Sequence, residues 1–130
     1  MSDKTLKNEA RNYYVPYLLG NSKKTHGLSL RIYKKFGIIS VICDSHRSFW
    51  DILDPTSMTA LLAPTDSSRL IREQLLSLTD GTFGALPLLI PMSEEYARSI
   101  SCEREALERR FIICDADELF SSSSPIKFPI

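Results

Sequence analysis

The chain has 130 residues, of which 43% are hydrophobic and 9% aromatic, enough apolar material for one globular domain and too much for a disordered segment. Its Lys and Arg (16) balance its Asp and Glu (16), for a formal net charge of +0, so no overall field draws it to nucleic acid or to an acidic membrane. Three widely spaced cysteines, Cys43, Cys102 and Cys114, form no C-x-x-C pair; with no visible signal peptide they argue against a zinc site and for reduced thiols in the cytoplasm.

The polar start, MSDKTLKNEARN, leads into YYVPYLL, a first strand centred on Pro16 to Leu19. Because proline cannot donate to a ladder, this strand is expected at a sheet edge, or with Pro16 at its start. From Leu28 to Phe36, apolar residues at spacings of three and four predict a short helix, with Gly37 as its C-terminal cap. Ile38 to Cys43, IISVIC, is β-branched and almost wholly apolar, the pattern of a strand covered on both faces. Together these three elements form a βαβ unit, whose crossover is nearly always right-handed.

A long connection, SHRSFWDILDPTS, carries the single tryptophan, Trp50, and a helical turn; MTALLAP, residues 58 to 64, reads as a short third strand. Asp66 or Ser67 can cap a helix that runs to about Leu78 and ends at Asp80-Gly81, because Leu70, Ile71, Leu75 and Leu78 share one face. ALPLLIPM, residues 85 to 92, is a buried strand and far shorter than the roughly 20 residues of a membrane helix. SEEYARSISCEREALERR predicts one continuous helix, with Ser93 as cap, Glu94 and Glu95 at its positive end and Arg109 and Arg110 at its negative end. FIICDAD, residues 111 to 117, supplies the last strand, and SSSSPIKFPI reads as an end.

Strands alternating with helices predict an α/β, Rossmann-like three-layer domain with a mainly parallel sheet flanked by helices. Residues 1–120 form that domain, and residues 121–130 are a tail or the start of a linker.

The stretch LLGNSKKTHG is neither G-x-G-x-x-G nor G-x-x-x-x-G-K-[ST], since Gly20 and Gly27 are separated by six residues with no glycine between them. A self-sufficient dinucleotide or ATP cradle is therefore not expected. Two readings stay open for the loop. In one, Gly20 takes a positive φ and Gly27 lets helix and strand approach closely. In the other, Asn21, Ser22 and the helix start face a crevice at the carboxyl end of a parallel strand, where open α/β sheets bind ligands.

His26 and His46 have no partner at motif spacing and read as surface or structural histidines before catalytic ones. Asp44 ends the second strand, where a dinucleotide enzyme holds ribose; without the glycine fingerprint it reads as a turn or cap residue. Asp115 and Asp117 alternate after the last strand, as solvated loop acids or as acids facing a site. No G-x-S-x-G elbow is present, and neither a catalytic residue nor a metal ligand is singled out.

Three blocks carry a resemblance: VPYLLGNSKKTHGLSLRIYKKFGIISVI (15 to 42), LLIPMSEEYARSIS (88 to 101) and REALERRFIICDADEL (104 to 119). In this order they resemble the N-terminal, pre-ATP-grasp domain of ATP-grasp carboxylate–amine ligases, especially the group that includes the D-aspartate ligases of peptidoglycan synthesis. The resemblance implies the substrate side of a ligase cleft, with Gly20, Asn21, Ser22, His26 and Gly27 as the substrate loop. It implies no cofactor in this chain: ATP and Mg2+ belong to a downstream ATP-grasp domain, the expected partner. There an acyl phosphate forms from a carboxylate and is attacked by an amine, so this chain is not catalytic alone. Ser22, Lys24 and Leu30 stand where that family's loop carries an acid, an asparagine and an arginine, so no D-aspartate specificity is carried over. Neither nucleic acid nor membrane is expected as a partner, and homodimerisation is left open. The alternative is a stand-alone Rossmann-like binding or dimerisation module, marked by an exposed apolar patch around Phe49, Trp50 or the PIKFPI tail.

Overall fold

The structure is a computed structural model that describes residues 14–80 and 86–120. The polar N-terminal stretch, Gly81 and the SSSSPIKFPI segment lie outside the described residues. In chain order the elements are β1 (Tyr14–Leu19), α1 (Lys23–Phe36), β2 (Ser40–Asp44), α2 (Trp50–Leu53), β3 (Ser57–Leu61), α3 (Ser68–Leu78), β4 (Leu86–Pro91), α4 (Glu94–Cys102), α5 (Arg104–Leu107) and β5 (Ile112–Ile113), followed by a 3-10 helix, Ala116–Phe120.

The five strands form one sheet in the order β3-β2-β1-β4-β5, and every pairing is parallel. The expected α/β, Rossmann-like three-layer architecture is present. Its physical cause is legible in β1: Tyr14 and Leu18 enter one core with Leu28, Ile32, Phe36, Ile42 and Leu119, while Tyr17 and Leu19 enter the other with Ile71, Leu75, Ile100 and Phe111. A strand buried on both faces must be apolar at successive positions, and two layers of helix cover it. Leu18, Leu19, Leu88, Leu89 and Ile90 are all fully buried, each contributing about 1.5–3 kcal/mol of burial.

Several boundaries differ from the sequence expectations. β1 is central, not an edge strand, and it starts at Tyr14 with Pro16 third. Its ladder with β2 begins at Tyr17 opposite Val41, so the missing N–H leaves no gap on that side. α1 begins at Lys23, not Leu28, because the Ser22 side chain caps it by accepting the Thr25 N–H at 3.3 Å. Gly37 closes it as expected, at φ 73°, donating to the Tyr33 carbonyl at 2.8 Å. β2 starts at Ser40 and β3 spans Ser57–Leu61, shorter than MTALLAP. Of the two candidate caps for α3, Ser67 is the one used.

The continuous helix expected from Ser93 to Arg110 is broken at Glu103, whose φ of −115° and ψ of 21° leave the helical region. Ile100 and Leu107, on either side of the break, both enter the same core. Glu103 is itself held by Arg72 at 3.0 Å from α3. Arg109 and Arg110 lie beyond α5 rather than at a helix end, and Arg110 donates to the Thr79 hydroxyl at 2.8 Å. The last strand is only two residues long, and the chain then winds into a 3-10 turn that plugs Leu119 into the α1-side core.

Candidate functional site

From β1 the chain moves to β2 and β3 on one side of the sheet and returns to β4 on the other, so the order reverses between β1 and β4. The loops leaving these neighbouring strands diverge and open a crevice at their carboxyl ends. A cavity of about 780 Å³ lies there, lined among others by Asn21, Ser22, Ser68, Ser93, Tyr96 and Arg98. That volume is in the range of small-molecule sites.

The β1–α1 turn is fastened to both neighbours. Gly20 donates its N–H to the Cys43 carbonyl at 2.9 Å, and Met92 donates to the Leu19 carbonyl at 2.8 Å. Gly20 has φ 120°, a conformation that favours glycine, and a Cβ there would also make a tight contact with the Met92 Cβ at 3.3 Å. The expected positive φ at Gly20 is therefore present. Gly27 differs from expectation: it lies inside α1, exposed, and a Cβ there would meet nothing within 4 Å.

Asp44 is the junction of the crevice. Its carboxylate accepts the Asn21 N–H at 2.7 Å, the Ser45 N–H at 2.7 Å and the Tyr96 hydroxyl at 2.8 Å. The group thus links β2, the β1–α1 turn and α4. With its oxygens so occupied it acts as the turn and cap residue, not as a free ribose acceptor. Burial of the Tyr96 hydroxyl, and then its bond to Asp44, hold that phenol well above the ordinary tyrosine range, so it is a hydrogen-bond donor and not a base.

Behind the turn lies a second cluster that sequence spacing did not reveal. His26 is buried, with Nδ1 2.7 Å from an Asp54 oxygen and Nε2 2.9 Å from both an Asp51 oxygen and the Asn21 side-chain oxygen. Nδ1 thus faces one acceptor, and Nε2 is shared between two. Asn21 in turn donates its side-chain NH2 to Asp51 at 3.0 Å. Burial raises the Asp51 carboxyl, but hydrogen bonds from the Ser48 N–H, Asn21 and His26 outweigh it and hold the group below its ordinary value. Asp54 is likewise lowered, its burial offset by bonds from Thr56, His26 and Ser57. The partners of His26 are 25 and 28 residues away, on a connection where no sequence signal points to them.

Of the five residues expected in a substrate loop, Gly20, Asn21 and Ser22 line the cavity; His26 lies beneath it and Gly27 is outside it. Asp115 and Asp117 are exposed and away from the cavity. Among the cavity's charged groups, Arg98, Asp66 and Glu95 have no ion pair with the described residues, whereas Asp44 is fully engaged. The N-termini of α1, α3 and α4 all open on the cavity through Ser22, Ser68 and Ser93, a setting that favours a ligand's negative end. Among the described residues no group of three or more His, Cys, Asp or Glu is placed to hold a metal, and no helix is long and apolar enough to cross a membrane. A scan against protein-family models finds no match to this chain, and a search of the curated proteins finds none either.

Proposed function

We propose that this chain is the substrate-side, pre-ATP-grasp domain of an ATP-dependent carboxylate–amine ligase. The observation that carries the reading is the crevice at the β1–β4 reversal, of about 780 Å³, lined by three helix N-termini and by Arg98, which has no ion pair among the described residues. These features favour a small carboxylate-bearing ligand. The residues given to it are Asn21, Ser22, Ser93 and Arg98, with Asp44 and Tyr96 holding the walls in register. In this reading ATP and Mg2+ sit on a downstream ATP-grasp domain, which supplies the acyl phosphate chemistry, and this chain alone is inactive.

The test is calorimetric titration of the chain with Mg-ATP and with a panel of amino acids and small carboxylates. Saturable binding of a carboxylate that Arg98→Glu weakens, with no response to Mg-ATP, supports the reading. Saturable Mg-ATP binding that is lost in Gly20→Val overturns it. The exposed Phe49 and Ile52, at 68% and 82%, favour a second reading as a stand-alone interaction module.

A further inference from the structure

From residues 21 to 64 the chain contains six cations, Lys23, Lys24, Arg31, Lys34, Lys35 and Arg47, and three acids. All three acids are turned inward: the side chains of Asp44, Asp51 and Asp54 are 10%, 11% and 7% exposed. None of the six cations has an ion pair among the described residues; every Arg or Lys pair lies on the α3, α4 and α5 side. Arg31 and Lys35 instead lie over the Phe120 ring, and Lys23 lies over Trp50. Net charge sums over the whole surface and misses this sorting.

Exposed apolar side chains collect in the same stretch of the chain. Of the ten large hydrophobic residues exposed among the described residues, eight fall between Leu30 and Leu61. α1 and α2 pack on each other, with Lys23 of α1 over Trp50 of α2, so the exposed Phe49, Ile52 and Leu53 adjoin the cationic helix α1. A neutral-composition protein thus presents one surface that is both cationic and apolar.

We infer that the α1–α2 surface docks on an anionic lipid bilayer, with Phe49, Ile52 and Leu53 entering the headgroup boundary and the six cations facing acidic headgroups. Three observations select this occupant. Between residues 21 and 64 the exposed charges are all positive, because Asp44, Asp51 and Asp54 turn inward, which complements a negative leaflet. Ile52 and Leu53 are aliphatic, and an RNA or DNA strand offers them nothing to stack on. An Ile52 that is 82% exposed is a projection rather than a groove wall, whereas peptides are taken up in grooves or on sheet edges. Apolar insertion and headgroup attraction then add, as in interfacial helices, and Trp50 and Tyr33 are suited to the polar–apolar boundary. This surface is separate from the crevice, so the inference stands independently of the ligase reading.

The test is co-sedimentation of the chain with vesicles of phosphatidylcholine plus phosphatidylserine, and with phosphatidylcholine alone, at low and high salt. Trp50, the single tryptophan, reports insertion through a blue shift of its emission. Binding is expected to the mixed vesicles only, weakened by salt and reduced about tenfold or more in Lys23→Glu/Lys34→Glu. A similar reduction is expected in Phe49→Ser/Ile52→Asp. Arg69→Glu/Arg104→Glu, on the other side, leaves binding unchanged, and circular dichroism verifies that each variant is folded. No binding to the mixed vesicles overturns the inference, as does binding that survives both α1–α2 pairs. Loss with the lysine pair but not with the Phe49/Ile52 pair also overturns it, in favour of an acidic polymer. A chain that runs as a dimer through this surface and ignores vesicles assigns the surface to a second copy instead.

Discussion

On one face of the sheet, α1 carries no acid and five Lys or Arg, none of them in an ion pair among the described residues, and it is held from below by His26 against Asp51 and Asp54 and by Ser29 bonded to Thr56. On the other face, α3, α4 and α5 carry their bonds on the outside: Arg72 pairs with Glu103 across helices, and Arg104 with Glu108 and Arg109 with Glu105 within a single stretch. Charged residues therefore do different work on the two faces. Pairs in water are screened and contribute little, whereas charges removed from water are expensive unless matched. Both sides rest on apolar packing; the α1 side adds a few buried polar contacts to it, and the opposite side a charged veneer.

The sharpest way to break this contrast is His26→Ala. It leaves two buried carboxylates facing one another without the ring between them, and about 3–5 kcal/mol of stability is expected to be lost in urea denaturation. A loss no greater than that of an exposed alanine substitution would show that the cluster does not hold the α1 side.

The second effect is smaller and runs with pH. Asp51 and Asp54 are both held below their ordinary value of 3.8, so their contribution is fully present above that pH and is lost as the pH falls through the lower, folded values. Thermal midpoints followed into the acid are expected to drop through this window. The difference from Asp51→Asn/Asp54→Asn should narrow as they do. A constant difference down to the lowest pH would remove these two groups from the acid response.

The smallest effect belongs to the other face. Arg104→Ala and Arg109→Ala break pairs whose side chains are half or more exposed, and each is expected to change stability by about 0.5 kcal/mol or less. A loss approaching that of His26→Ala would erase the distinction between the two faces.

The fold was legible where its causes are local. The apolar strands, the Ser93 cap, the Gly37 cap and the βαβ opening follow from the pleat, from orphan N–H groups at helix starts and from the left-handed region open to glycine. The break at Glu103 was not legible, because helix propensity and intrahelical charge spacing favour continuity there, and what marks the position is a tertiary contact, the bond from Arg72 of α3 to the Glu103 carboxylate. The site was half legible. Gly20, Asn21 and Ser22 line the crevice because a loop after a central parallel strand must open there. His26 was read as surface or structural, and its structural partners came from a distant connection.

Alternation of apolar runs, helix caps and turn residues thus determined the class of fold and the order of its elements, since each acts within a few residues of itself. Which polar groups meet was decided only when the β2–β3 connection folded back over α1, carrying Asp51 and Asp54 to a histidine 25 and 28 residues away. That same packing turned the acids of this stretch inward and left its cations outside, so a chain of zero net charge acquired a charged side. Burial is a property of position in three dimensions, and a composition, which sums over all positions, cannot express it.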